Sequence, residues 1–140
     1  MKYTIRKKFK FEAAHQLFAA FSKDCYETIH GHSYVVEVFF SMDVLDTTGM
    51  VMDFGQMNVP VKEIINRWDH ALIMPIMFPQ DYLVALKRFN KKLVVVNWNP
   101  TAERMAAHLL HEIRDAFPRC RISVIKVRVH ETETGYAEAE

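Results

Sequence analysis

Cysteine is scarce in this chain, with only Cys25 and Cys120 among 140 residues. Two thiols make no disulfide framework, so the expected compartment is the reducing cytoplasm and the core must hold without covalent staples. Glycine is equally scarce, at four residues. That argues against a Gly-rich β-barrel such as a cupin, whose His-x-His would continue to further ligands on neighbouring strands. No apolar run approaches the roughly 18 residues of a membrane span, and the charged, alternating N-terminus does not read as a signal peptide. The net charge of +1 gives no reason to expect nucleic acid or an anionic membrane as partner. Repeats, low-complexity tracts and interdomain linkers are also missing. What remains is half apolar and one quarter charged. We read residues 1–140 as one domain, large enough to bury a core of its own.

Residues 3 to 15 alternate with period two: Tyr3, Ile5, Phe9, Phe11 and Ala13 share one face, with Lys7 the exception. Such alternation predicts a half-buried strand, with His15 closing it on the apolar side. A second strand begins at His30-Gly31-His32, where Tyr34, Val36, Val38, Phe40 and Met42 keep the parity of the two histidines. Residues i and i+2 of a strand project from the same face, so His30 and His32 can reach one ion. Gly31 between them lets the backbone bend or approach a ligand closely. If the strands pair as an antiparallel hairpin across residues 16 to 29, His15 meets both. Three histidines with an open position form a catalytic zinc arrangement.

Beyond the hairpin, Asp46-Thr47-Thr48-Gly49 predicts a turn. A helix follows Phe54, with Met57, Val61, Ile64, Ile65 and Trp68 as its buried stripe, Pro60 in its first turn and Asp69-His70 at its close. Pro75 and Pro79 break the next segment; Tyr82 to Phe89 has room for two helical turns, and Leu93 to Val96 for a short strand. Asn99 is expected to cap a second long helix with Pro100 at its first position and Ala102, Met105, Ala106, Leu109, Leu110, Ile113 and Phe117 buried. Ile122 to Val129 reads as a strand apolar on both faces, Gly135 to Glu140 as a short last one. Cys120 reads as a buried apolar filler; His108, His111 and His130 read as structural. The order predicts an α+β fold, helices covering one face of an antiparallel sheet. The other face, with Phe and Val to spare, calls for a partner copy.

Phe11-Glu12-Ala13-Ala14-His15, His30-Gly31-His32, Gly49 to Phe54, Asp69-His70, Asn99-Pro100-Thr101-Ala102-Glu103 and Glu131-Thr132 occur in one order along nearly the whole chain. Together they resemble the 6-pyruvoyltetrahydropterin synthase family, which includes the 6-carboxytetrahydropterin synthases of queuosine biosynthesis. His-Gly-His alone is weak evidence, but six motifs in order are strong. The resemblance implies the tunnelling fold (T-fold): a four-stranded antiparallel sheet with two helices on one face, trimerised into a β-barrel, two trimers stacking as a hexamer. It implies Zn²⁺ on His15, His30 and His32, a lyase reaction on 7,8-dihydroneopterin triphosphate, and a site between subunits. Cys25 would be the base, with Asp69 and His70 as its relay. Glu131 would anchor the pterin, and Thr101 and Glu103 would help hold the ring in a neighbouring subunit's site.

Two departures bear on these roles. Cys25 lies five residues before His30, one residue farther than in the queuosine-pathway enzymes and one nearer than in the animal enzymes. Glu27 matches a branch in which Glu-x-x-His-Gly-His replaces the cysteine, in enzymes that make 6-hydroxymethyl-7,8-dihydropterin for folate. The base is therefore expected to be Cys25, Glu27 or both, and the product 6-carboxytetrahydropterin, 6-pyruvoyltetrahydropterin or the folate-type pterin. The second departure is the long 74 to 99 connection, expected to bear more on oligomer contacts than on chemistry. A non-catalytic pterin- or zinc-binding relative is the alternative of another class, against which intact Asp69, His70 and Glu131 argue.

Overall fold

The computed structural model describes residues 1–117 and 122–140, so Cys120 lies outside the described residues. In chain order the elements are β1 (Tyr3–His15), α1 (Lys23–Tyr26), β2 (His30–Met42), α2 (Phe54–Asn66), β3 (Ala71–Pro75), α3 (Gln80–Phe89), β4 (Leu93–Val96), α4 (Ala102–Ala116), β5 (Ser123–His130) and β6 (Tyr136–Ala139). The α+β character and the long hairpin are as expected. β1 and β2 pair antiparallel along their whole length, with Phe9 opposite Val36, Ala13 opposite His32 and His15 opposite His30. A one-residue slip would turn every inward side chain to the other face, so the apolar alternation sets this register. Phe11 and Tyr34 stack across it with centroids 4.7 Å apart.

Among the described residues the sheet has six strands rather than four, in the order β4-β3-β1-β2-β5-β6. The two additional strands, β3 and β4, come from the segment between Asp69 and Asn99 and run parallel to β1 and to each other. β3 is buried at all five positions because both its faces are covered. Ala71 and Ile73 join the main core under α2 and α4, while Leu72 and Met74 pack with Leu83 of α3 and Ala14 on the opposite face. The helices are therefore not confined to one face: α3 covers the β3–β4 end of the other.

The expected stripes of α2 and α4 fill the main core, joined by Val36, Val38, Phe40, Val127 and Val129 of the sheet. Each large side chain removed from water there contributes about 1.5–3 kcal/mol. Lys7 interrupts the inward row without burying its charge: its stem lies along the core edge and Nζ donates to Phe54 O at 3.2 Å. Asp46 builds the expected turn, its Oδ1 accepting from Thr48 N and Met50 N, with Gly49 at φ 80°.

Four local expectations are corrected. α2 starts at Phe54, its N-terminus capped by Asp53 Oδ1 on Gly55 N, which leaves Pro60 inside the helix rather than in its first turn. The cap of α4 is Thr101, whose hydroxyl accepts from Arg104 N at 3.4 Å. Asn99 instead ties down the segment after β1, accepting from Phe18 N and donating to Ala19 O. β5 is not apolar on both faces: a bulge between its pairings with Phe39 and Phe40 takes Ile125 out of register. Val124, Val127 and Val129 then all face the core although their spacing is not strictly even.

The last correction concerns the open face of β2, β5 and β6, which is charged rather than apolar. Glu37, only 5% exposed, accepts from Arg128 and His130 at 3.3 and 2.8 Å and forms an ion pair with Arg6 at 3.2 Å. Phe39 lies beneath Arg128 and Lys126, whose charged groups sit 5.5 and 5.9 Å from its ring centroid.

Candidate metal centre and active site

His15 and His30 face each other at the connected end of the β1–β2 hairpin, either side of the 16–29 segment, and His32 lies one inward position further along. The ligand nitrogens of the three rings all fall within 4.8 Å of one another. Their second nitrogens decide which atoms are free. His15 Nδ1 lies 2.8 Å from Pro100 O, and His30 Nδ1 lies 3.0 Å from Thr28 O. A carbonyl only accepts, so both Nδ1 atoms carry hydrogen, which in the neutral rings leaves both Nε2 atoms bare. Those bare nitrogens point at each other across 3.0 Å, where two lone pairs repel unless a cation lies between them. Nε2 of His32 is buried with no hydrogen-bond partner among the described residues. Backbone carbonyls that fix the tautomer are the usual outer support of a metal-binding imidazole. This donor set fits a divalent metal.

Electrostatics agree with that reading. Burial holds His15 down at about 4, outweighing the raising effect of Pro100 O, with His30 and His32 adding to the depression. His32 is lowered by burial and by His30. Both are thus neutral near pH 7, the form that binds metal. The Tyr34 hydroxyl, 3.3 Å from His15 Nδ1, is pushed far up by burial and then by Glu131, so it stays protonated. Tyr34 was read from the sequence only as core, yet it continues the parity of His30 and His32, a signal that places it under the cluster.

Glu131 follows the end of β5, and its Oε1 lies 4.0 Å from His15 Nε2. With Thr101, Glu103, Thr132, Leu17 and Tyr136 it lines a cavity of about 300 Å³. Burial raises the Glu131 carboxyl, the Glu103 charge raises it further, and His30 opposes. The three residues expected to hold a ring therefore meet in one chain, where the sequence suggested that Thr101 and Glu103 serve a neighbouring subunit's site.

Asp69 and His70 form a pair, His70 Nδ1 lying 2.9 Å from Asp69 Oδ2. Asp69 Oδ1 accepts from Glu12 N at 2.9 Å, the main reason its carboxyl is lowered, with His70 and Lys92 contributing. His70 has φ 59°, the left-handed region that a β-carbon disfavours. Its side chain is 78% exposed and borders a shallow cavity floored by Glu12, Ala14, Gly31 and Ser33. These four are outward positions of β1 and β2, although Ala13 and His32 line the cavity as well; His15, His30 and His32 have the inward parity. The pair and the histidine cluster thus lie on opposite faces of the same hairpin. Gly31 adopts no special conformation here: an added Cβ would meet only Ala13 O, at 3.5 Å.

Cys25 is half-buried on the four-residue α1, its carbonyl accepting from Leu17 N at 2.9 Å. Glu27 is exposed just beyond. Neither joins the histidine cluster. His108 stacks on Trp68 and pairs with Glu112, His111 pairs with Asp115, and His130 bonds Glu37.

A sheet-borne cluster of three imidazoles beside a carboxylate-lined cavity defines an α+β protein with a candidate metal site, the ring-sized cavity lying next to that site. More narrowly, the sequence model described as 6-pyruvoyl tetrahydropterin synthase matches residues 4–140, and the chain belongs to that family. A 6-carboxy-5,6,7,8-tetrahydropterin synthase from Aquifex aeolicus is 35% identical over 99% of this chain and 98% of its own length. One from Rickettsia conorii is 31% identical, covering 94% and 96%. Among solved structures, an uncharacterized protein from Wolinella succinogenes superposes with TM-score 0.84 at 24% identity, covering 99% of this chain and 98% of its own. A Caenorhabditis elegans 6-pyruvoyl tetrahydropterin synthase gives 0.71 at 21% identity, covering 100% and 96%. The fold is the T-fold.

Proposed function

We propose that the chain is a zinc-dependent lyase that converts 7,8-dihydroneopterin triphosphate and one water to 6-carboxytetrahydropterin, triphosphate and acetaldehyde, in the cytoplasmic supply of the queuosine precursor. The observation that carries this reading is the facing pair of bare Nε2 atoms on His15 and His30, with Glu131 Oε1 4.0 Å from the first. The names of the full-length relatives favour the 6-carboxy product over the 6-pyruvoyl one.

His15, His30 and His32 would hold the zinc, which when bound supplies positive charge to stabilise negative charge developing on the side-chain oxygens of the substrate. Glu131 takes the amino-pyrimidine edge of the pterin, because a carboxylate can accept two parallel hydrogen bonds. Burial and the Glu103 charge raise its affinity for a proton, and the pterin N–H groups would supply hydrogen to it. Thr101 and Glu103 close the same cavity from the N-terminus of α4. Cys25 removes a carbon-bound proton beside a side-chain hydroxyl, a step for which a thiolate is far more basic than a carboxylate. Asp69 stays ionised and orients His70, which accepts and returns the proton. Because that pair lies on the other face of the hairpin, a neighbouring copy supplies it, and the working unit is a homo-oligomer, a trimer or a hexamer.

Glu27 is the alternative base, since neither it nor Cys25 is drawn into the histidine cluster. Product analysis and two variants separate the readings. Cys25→Ala is expected to lower turnover by about two to four powers of ten with metal content unchanged, the scale of losing a general base; Glu27→Gln is expected to have a much smaller effect. Mass spectrometry should find a 6-carboxy pterin together with acetaldehyde. A 6-hydroxymethyl product with the two variant effects reversed would make Glu27 the base and the folate-type branch the function.

A further inference from the structure

Gln16 directly follows His15, is only 6% exposed, and is bonded at both ends of its amide. Nε2 donates to Tyr26 O at 2.7 Å, and Oε1 accepts from the Tyr82 hydroxyl at 2.7 Å. A backbone carbonyl cannot donate, so the amide has one orientation and the phenol must be the donor. Tyr26 is the last residue of α1, the turn that carries Cys25; Tyr82 is in the first turn of α3. The Tyr82 ring meets Phe78 edge-on, and Phe78 meets Phe18 of the segment after β1 in the same way. A buried amide satisfied at both ends by two separate segments is a poor filler and a good tie, since removing one partner strands the other.

The same excursion reaches the second half of the proposed machinery. Lys92, between α3 and β4, donates from Nζ to the carbonyls of Asn66 and Asp69, and its own carbonyl accepts from Leu72 N.

We propose that the excursion from Ile76 to Trp98 is an intrachain brace for the catalytic segments, in which Tyr82 and Gln16 are positioning residues that fix the α1 turn bearing Cys25. The kinetic part rests on Cys25 as base, as proposed above; the placement of the thiol does not.

The test compares Tyr82→Phe, Gln16→Leu and the double variant in full-length protein carrying Cys120→Ser, so that Cys25 is the one thiol. The alkylation rate of Cys25 by iodoacetamide, bound zinc, thermal midpoint, kcat and KM are measured for each. With metal content unchanged, each single variant should shift the alkylation rate by about three- to tenfold, the scale of one buried hydrogen bond. It should lower kcat by a similar factor while KM stays within about twofold, and the double variant should add nothing, as expected of two links in one tie. If Gln16→Leu fails to fold, Tyr82→Phe, which deletes a single oxygen, decides alone. An alkylation rate at the parent value in Tyr82→Phe, or single effects that multiply in the double variant, would overturn the brace. A parent protein inactive on dihydroneopterin triphosphate would overturn the proposed function instead, leaving the alkylation rates to judge the brace.

Discussion

Pro100 O and Thr28 O each take the Nδ1 hydrogen of a histidine and thereby leave the opposite nitrogen bare toward its neighbour. Two imidazoles alone make a poor site, so His30→Ala should lose both the metal and the activity. Metal analysis of the purified protein should give about one zinc per chain, falling to background in the variant; stoichiometric zinc in a triple His15, His30, His32 alanine variant would contradict the site. Metal-free protein should also show a particular pH dependence. His15 is held at about 4 when folded, against 6.5 as a free side chain. Below pH 6.5 the unfolded chain therefore binds a proton that the folded one refuses, and stability drains away as the pH falls toward 4. The full loss from His15 is about 3 kcal/mol, reinforced by His32 and partly opposed by Glu131, whose raised carboxyl protonates earlier in the fold. Thermal melts of chelator-treated protein between pH 7.5 and 4.5 should show a falling midpoint; a flat or rising one would remove the buried neutral imidazole from the account. His15, His30 and His32 were legible because their parity is visible in the sequence. Gln16 and Tyr82 were not: nothing in a lone Gln and a lone Tyr sixty-six residues apart signals that they share a hydrogen bond.

Among the elements, the hairpin and the stripes of α2 and α4 could be read in advance because a single period governs each. β5 could not, since one bulge residue makes a one-faced strand look two-faced. The α4 cap was misplaced by two residues because Asn99 and Thr101 are both good caps locally, and only the tertiary partners of Asn99 assign it elsewhere. β3 and β4 are short, and their parallel pairing depends on contacts no local pattern carries. Their difference in depth gives a check. Ile73, fully buried on β3, should lose about 2–5 kcal/mol on truncation to Ala, whereas Val95, 43% exposed on the edge strand β4, should lose roughly 0.5 kcal/mol or less. Urea unfolding of the two variants measures both, and equal losses would mean that β3 is not part of the core.

At the scale of the whole molecule, the sheet ends in two open edges, β4 and β6, and the Asp69–His70 pair, the proposed relay, lies on the other side of the sheet from the histidines. Unpaired edges are templates for strand addition, and closing several copies into a barrel would satisfy them. Sedimentation at micromolar concentration should give a trimer or hexamer; a stable, fully active monomer would require the machinery to assemble within one chain. The charged network around Glu37 bears on the kind of assembly: such a surface favours a wet lumen over a dry seam.

Pro100 O, one of the two carbonyls that set the ring tautomers, lies eighty-five residues along the chain from the histidine it holds. His15 and His30 are also the two doorposts of the 16–29 segment. An ion gripped by both closes that segment into a ring, with Cys25 on its rim. Metal supply would then act on the thiol as well as on the substrate's oxygens: in a metal-starved cell the protein would still fold around its core, but the rim bearing Cys25, the proposed base, would be left unlatched.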